Sequence, residues 1–295
     1  MSHGLTQPVR RVAALRRHVC AAARLASTFA VHPPSTHPSL ADAPAPVVLV
    51  IGAGAGIGAH VGSRFAREGF HAALTRRSDA DGLERAVRNI QSAGGNATGF
   101  LCNAVDDGAI EDLVTHIETN VGPIEVAVFN LGAQIGHKSL QDTTLKQFTL
   151  GWKMAQFGLF RAAKSIFPHM VKRGSGTLLV TSATAAMRGN AGQHSHASAM
   201  GGRRMLCQTL NAEFSPQGIH VAHIIVDGPV DAPDTLGKML GRDNFEKLRN
   251  TRGAEDGLVR PSAVAETYWQ LASQHRSTWT HELDLRSWSD NPWWN

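Results

Sequence analysis

From Val47 onward the chain alternates short apolar runs with longer amphipathic ones, and this rhythm leaves few folds open. The runs VVLVI, HAALT, ATGFL, IEVAVFN, TLLVTS and IHVAHIIVD have strand length and are rich in β-branched and small apolar residues. Several are apolar at consecutive positions, as strands covered on both faces are. The spacing between them predicts helices to about residue 68 and over 83–91, 107–118, 145–170 and 198–213. A looser polar segment follows the sixth strand, then a helix at 263–272 and a short strand near Leu283. Strands and helices that alternate in this way join as parallel crossovers, with helices on both faces of one sheet. The expected fold class is α/β: a doubly wound parallel sheet in a three-layer αβα arrangement, one domain over residues 42–295 with no internal repeat.

The first 41 residues have a different character. They hold five arginines (Arg10, Arg11, Arg16, Arg17, Arg24) and no acid. At 100° per residue Arg10, Arg17 and Arg24 share one helical face, with Val12, Leu15 and Val19 opposite. An amphipathic, arginine-rich, acid-free start, followed by the Pro-rich HPPSTHPSLADAPAP, is the pattern of an organelle transit peptide and linker. The expected location is the mitochondrial matrix, with cleavage between about residues 25 and 42. A plastid address, or a cytoplasmic chain with a disordered basic tail, is the alternative.

The leader also accounts for the formal net charge of +5, since the rest of the chain carries 24 basic and 24 acidic residues. No overall positive field remains to attract nucleic acid. Cys20, Cys102 and Cys207 lack metal-site or disulfide-framework spacing. No apolar run reaches the ~20 residues of a membrane span.

The stretch IGAGAGIGAH follows the first strand directly and opens a helix. Gly52, Gly56 and Gly58, with Ile57 between the last two, allow a tight turn and a close backbone approach to a pyrophosphate. The helix N-terminus beyond them presents N–H groups to an anion. In a strand–loop–helix context this pattern predicts a dinucleotide site in a Rossmann-type fold. The second strand ends in TRRSD, with Arg76 and Arg77 where an acid would bond a ribose 2′-hydroxyl. A guanidinium favours a 2′-phosphate, so the expected cofactor is NADP(H) rather than NAD(H).

With these features the chain resembles the short-chain dehydrogenase/reductase family over about residues 46–286. The spacing of Gly52, Gly56 and Gly58 resembles that family's cofactor loop, with Ile51 at its usual threonine. NLG at Asn130, Leu131 and Gly132 is similar to its NAG motif, and Asn103 stands where an aspartate usually touches the adenine. DGPVDAPDT, with Gly228, resembles the loop that closes over the nicotinamide. The resemblance implies an oxidoreductase acting on a carbonyl or hydroxyl group of a small molecule. The family's chemistry is carried by a serine, a tyrosine, a lysine four residues later and often an asparagine. Here His196 and Met200 occupy the tyrosine and lysine positions, and Ala155 the asparagine position. The serine position is Ala183, flanked by Ser182 and Thr184. The only tyrosine is Tyr268, with no lysine four residues on.

Two functions remain open. In one, an NADP(H)-dependent oxidoreductase uses His196 as proton carrier, with Ser182 or Thr184 bonding the substrate oxygen; imidazole exchanges protons near neutrality without a lysine's help. In the other, a catalytically inactive nucleotide-binding relative serves as a structural or regulatory subunit of a mitochondrial assembly. His194, His196 and His223 suggest a metal site, but no acid or cysteine with ligand spacing accompanies them, so no metal is expected. Arg203 and Arg204 are candidates to reach a phosphate or to lie on a packed helix surface. Trp279, Trp288, Trp293 and Trp294 crowd the C-terminus, suggesting a homo-oligomer or a protein partner there, or a tail folded over its own core.

Overall fold

The computed structural model describes residues 44–132 and 136–289. The proposed transit peptide and linker, and Trp293 and Trp294, lie outside the described residues. The expected α/β class holds. Seven strands form one parallel sheet: β1 (Val47–Ile51), β2 (His71–Arg76), β3 (Asn96–Leu101), β4 (Ile124–Phe129), β5 (Gly176–Ala183), β6 (Ile219–Asp227) and β7 (Glu282–Arg286). Their order is β3-β2-β1-β4-β5-β6-β7, so the chain winds outward from β1 in one direction and then from β4 in the other. The crevice at that reversal, outside the carboxyl ends of the strands, is where such sheets bind ligands.

The sheet is buried on both sides, and its central strand β1 is apolar and buried at every position. In β1, Val47, Leu49 and Ile51 join one core cluster with α3 (Ala109–Asn120), α5 (Gly158–Arg173) and α6 (His194–Phe214). Val48 and Val50 join the other, with α1 (Ile57–Ala66), α2 (Ala80–Ser92) and α8 (Pro261–Ala272). Alternating side chains thus serve opposite layers. None of the described helices is long and apolar enough to cross a membrane.

Three departures from the expected elements have physical causes. The helix predicted over 145–170 is α4 (Leu145–Trp152), capped by reciprocal Thr144 and Gln147 bonds, a π-helical turn at Lys153–Phe157, and then α5. A π turn keeps the apolar periodicity while freeing backbone groups, so periodicity alone does not reveal it. The helix expected from about residue 198 begins at His194, because Ser195 is buried and its hydroxyl donates to the Gln147 and Phe148 carbonyls of α4. The polar segment after β6 contains α7 (Arg242–Arg252), in which only Phe245 is buried. One anchor in eleven residues leaves no amphipathic pattern to read.

Candidate active site

β1 delivers the chain into the glycine loop, and the sheet holds that loop from behind. Gly52 has φ +97°, a conformation L side chains rarely adopt, and its N–H donates to the hydroxyl of buried Thr75 at 3.1 Å. The Ala53 N–H donates to the Thr75 carbonyl at 2.7 Å. A Cβ on Gly58 would lie 2.5 Å from the Gly52 carbonyl oxygen, so only glycine lets α1 start this close to the strand. No side chain of the described residues caps α1, whose Ala59 N–H donates to the Gly54 carbonyl at 3.0 Å.

Beside this loop lies a cleft of about 470 Å³ lined by Gly52, Gly54, Arg76, Arg77, Asn103 and Gly132, among others. That size suits a cofactor. Asn130, also on its wall, ties β4 to the loop: its side-chain N–H donates to the Gly52 carbonyl at 2.8 Å. Its carbonyl accepts from Thr181 at 2.7 Å, and the Tyr268 hydroxyl donates to Thr181 at 2.7 Å. The sole tyrosine is therefore the buried origin of a hydrogen-bond chain to the glycine loop; burial raises its pKa above the ordinary phenol range, which keeps it protonated.

At the end of β2, Arg76 donates to the Ala53 carbonyl at 2.8 Å and pairs with Asp79. Asp79 caps α2 through the Gly82 amide, and that bond, with Arg76 beside it, holds its carboxyl below the usual range. Arg77 lines the cleft and is exposed, and among the described residues no carboxylate pairs with it. Asn103 bonds Asp106 at 2.8 Å. Gly56, Ile57 and Gly58 shape the turn without lining the cleft, and Gly228 (φ +128°) turns the chain after β6. The loop beyond Gly228 comes back over the nucleotide end: the Ala232 methyl lies 3.0 Å from where a Gly56 Cβ would be, and Asp234, Thr235 and Lys238 line the cleft.

The other end is apolar. Ala155, Ala185, Ala199 and Met200 form one buried cluster, with Met200 only 1 % exposed. Ser182 is buried with its Oγ 3.8 Å from the Met200 sulfur, so the structure brings these two together. Thr184 opens a short 3₁₀ turn. His196 is buried in the first turn of α6 and lines a small separate recess with Gly136, Lys138, Gln147 and His194. Neither His196 nor Ser182 nor Thr184 is among the residues lining the cleft beside the glycine loop.

The remaining candidates have structural partners. His223 is fully buried on β6 and bonds Glu282 at 3.0 Å; burial lowers its pKa to about 4, so it is neutral and apart from His194 and His196. Arg204 pairs with Glu282 at 2.7 Å. Arg203 is buried where α6 packs against the sheet, and neither arginine lines the cleft. Trp279 stacks on His220, with ring centroids 5.0 Å apart, whereas Trp288 is 78 % exposed. Cys102 and Cys207 are free thiols.

Residues 46–237 match the short chain dehydrogenase family. The chain belongs to the short-chain dehydrogenase/reductase family. Among its relatives is the short-chain reductase protein NovJ of Streptomyces niveus, 33% identical over 231 residues, covering 75% of this chain and 84% of NovJ. A short-chain dehydrogenase from Rhodopseudomonas palustris is similar in structure, with a TM-score of 0.69 at 32% identity, covering 82% of this chain and 99% of that one. The alcohol dehydrogenase of Thermococcus sibiricus, solved with 5-hydroxy-NADP, shares the fold at a TM-score of 0.70 and 24% identity, covering 83% of this chain and 98% of its own. Family membership makes this chain a member of an oxidoreductase family.

Proposed function

We propose that the protein is an NADP(H)-dependent oxidoreductase acting on a carbonyl or hydroxyl group, with His196 in place of a phenol as the proton carrier. The observation that supports this reading is the cleft beside the glycine loop. A tight glycine turn, an uncapped helix N-terminus, Asn103, Asn130 and Gly132 surround a cavity of cofactor size. When bound, a nicotinamide dinucleotide supplies or accepts the hydride. The α1 amides and Arg77 hold phosphate groups; Arg77 favours a 2′-phosphate because, unlike Arg76, it has no carboxylate partner among the described residues. In this reading His196 exchanges the proton at the substrate oxygen, which Ser182 or Thr184 bonds.

A second reading is favoured by the apolar cluster at Ala155 and Met200, which holds no group able to lower a neighbour's pKa. In it the chain binds nucleotide without turnover and acts as a structural or regulatory subunit. Titrating the chain with NADPH and NADH, by ligand fluorescence, tests the cleft: tighter NADPH binding is expected, and binding of neither overturns both readings. If the first reading holds, His196→Ala lowers turnover by about 10²-fold, the ordinary scale of acid–base catalysis, with NADPH affinity unchanged. Equal turnover in the two proteins removes His196 from the mechanism. NADPH binding without turnover on a panel of aldehydes, ketones and alcohols supports the second reading.

We further infer a mitochondrial location from the arginine-rich leader. A chain lacking residues 1–41 is expected to remain in the cytosol on fractionation; import without the leader rejects this.

A further inference from the structure

Arg203 is the most deeply buried charge in the described structure, 1 % exposed in the middle of α6. Its Nε donates to the Ala155 carbonyl at 3.0 Å, its Nη1 to the Thr181 carbonyl at 2.5 Å, and its Nη2 to the Leu131 carbonyl at 2.8 Å. The guanidinium lies 5.2 Å from the ring centre of Phe129. One side chain thus ties the π turn to the carboxyl ends of β4 and β5. Burial lowers its pKa only to about 10, so the charge is present at neutral pH.

No carboxylate among the described residues pairs with this cation. Glu282, on β7, is already held by Arg204 and His223. Cys207 and Tyr268, which influence Arg203 electrostatically, are kept neutral because burial raises both their pKa values. A buried cation that faces three carbonyl dipoles and one aromatic ring, with no anion, is incompletely compensated. The cleft shares a wall residue with this cation. Leu131, whose carbonyl Arg203 holds, lines it between Asn130 and Gly132.

We infer that Arg203 is the interior counter-charge of the nucleotide cleft, a positioning residue that holds the ends of β4 and β5 and strengthens the binding of a phosphorylated ligand from behind the cleft wall. This rests on the reading of the cleft as a dinucleotide site. The charge lies one helical turn beyond Met200, so α6 keeps a cation near the site although position 200 is apolar. A unit charge on the order of 10 Å from an anion, in a medium of effective dielectric ~20, changes affinity by about tenfold.

The test uses the full chain with Arg203→Met and Arg203→Lys, titrated with NADPH and with uncharged adenosine, alongside thermal melts. Arg203→Met is expected to weaken NADPH about tenfold and leave adenosine binding unchanged. Arg203→Lys, which keeps the charge, is expected to bind NADPH within about threefold of the parent. A merely structural arginine gives the opposite pattern, with both ligands weakened together and no rescue by lysine, and that result overturns the inference. If Arg203→Met does not fold, Arg203→Lys decides alone: a loss well beyond threefold in a folded protein also overturns it. A parent chain that binds neither NADPH nor NADH defeats the dinucleotide reading itself. A parent that binds NADPH as tightly as Arg203→Met defeats only the role of Arg203.

Discussion

Gly58→Val is expected to abolish measurable NADPH binding, a loss of at least about 10²-fold, and to lower stability by roughly 1–3 kcal/mol, the usual cost of overpacking a filled site. The first atom added decides the outcome. A Cβ at Gly58 would lie 2.5 Å from the Gly52 carbonyl oxygen, 2.8 Å from the Ala53 Cα and 3.0 Å from the Asn130 side-chain nitrogen. Two of these are backbone atoms of the loop and cannot swing aside. The third belongs to the hydrogen-bond chain running from Tyr268 through Thr181 and Asn130 to Gly52. Relief therefore requires α1 to move off β1, which opens the cleft where a pyrophosphate would sit. The measurement is a nucleotide titration and a thermal melt, with Gly189→Ala as control, since a Cβ there meets nothing within 4 Å. Binding retained in Gly58→Val within a few-fold would show that the glycine loop is not the nucleotide site.

Met200→Lys is the second large effect, and it runs against the expectation that restoring a family residue restores stability. Met200 is 1 % exposed and packed against Ala155, Ala185 and Ala199. An ammonium there has no carboxylate partner among the described residues, and the buried Arg203 cation lies one turn further along the same helix. Leaving a buried charge unpaired costs about 3–5 kcal/mol. Burial and the neighbouring cation both disfavour protonation, so the lysine pKa in the folded chain falls below its unfolded value near 10.4. The sign follows from that order. Between the two pKa values the unfolded chain binds the extra proton, so stability rises with pH across this window. The melting temperature of Met200→Lys relative to the parent is thus expected to be lowest near neutrality and to recover toward pH 10. A pH-independent difference between the two proteins would mean that the side chain reaches solvent instead.

These two sites also mark the boundary between what is legible in a sequence and what is not. Gly52, Gly56 and Gly58 are separated by fixed local spacings that follow a strand and open a helix, so a reader of the chain can place them without coordinates. The absence of a tyrosine at 196 and a lysine at 200 is likewise a statement about two positions in one helix. The same holds for the doubly wound sheet, because consecutive apolar residues along β1 and β6 can only be covered from both sides.

The rest depended on contacts between residues far apart in the chain. Thr75 supports Gly52 across 23 positions, Tyr268 meets Thr181 across 87, and Arg203 reaches Leu131 across 72. None of these pairs leaves a periodic trace, since each needs only one polar residue of suitable length on each side. Tyr268 looked irrelevant because no lysine follows it; its role is set by where α8 packs on the sheet. For Arg203 the sequence leaves open a phosphate contact or a packed helix surface, and only the carbonyls of the π turn and the strand ends show that its donors have partners inside. His196 is a candidate because it stands at the tyrosine position of the resembled family, whereas its placement in a recess apart from the cleft depends on how Ser195 docks α6 against α4. The sequence by itself determined the fold class and the tight glycine loop that follows β1, both of which are encoded in local spacing. Only the tertiary structure decided that Met200 joins an apolar cluster and that a buried guanidinium holds the carbonyl of Leu131 on the cleft wall, because burial and hydrogen-bond partnership are properties of the packed chain.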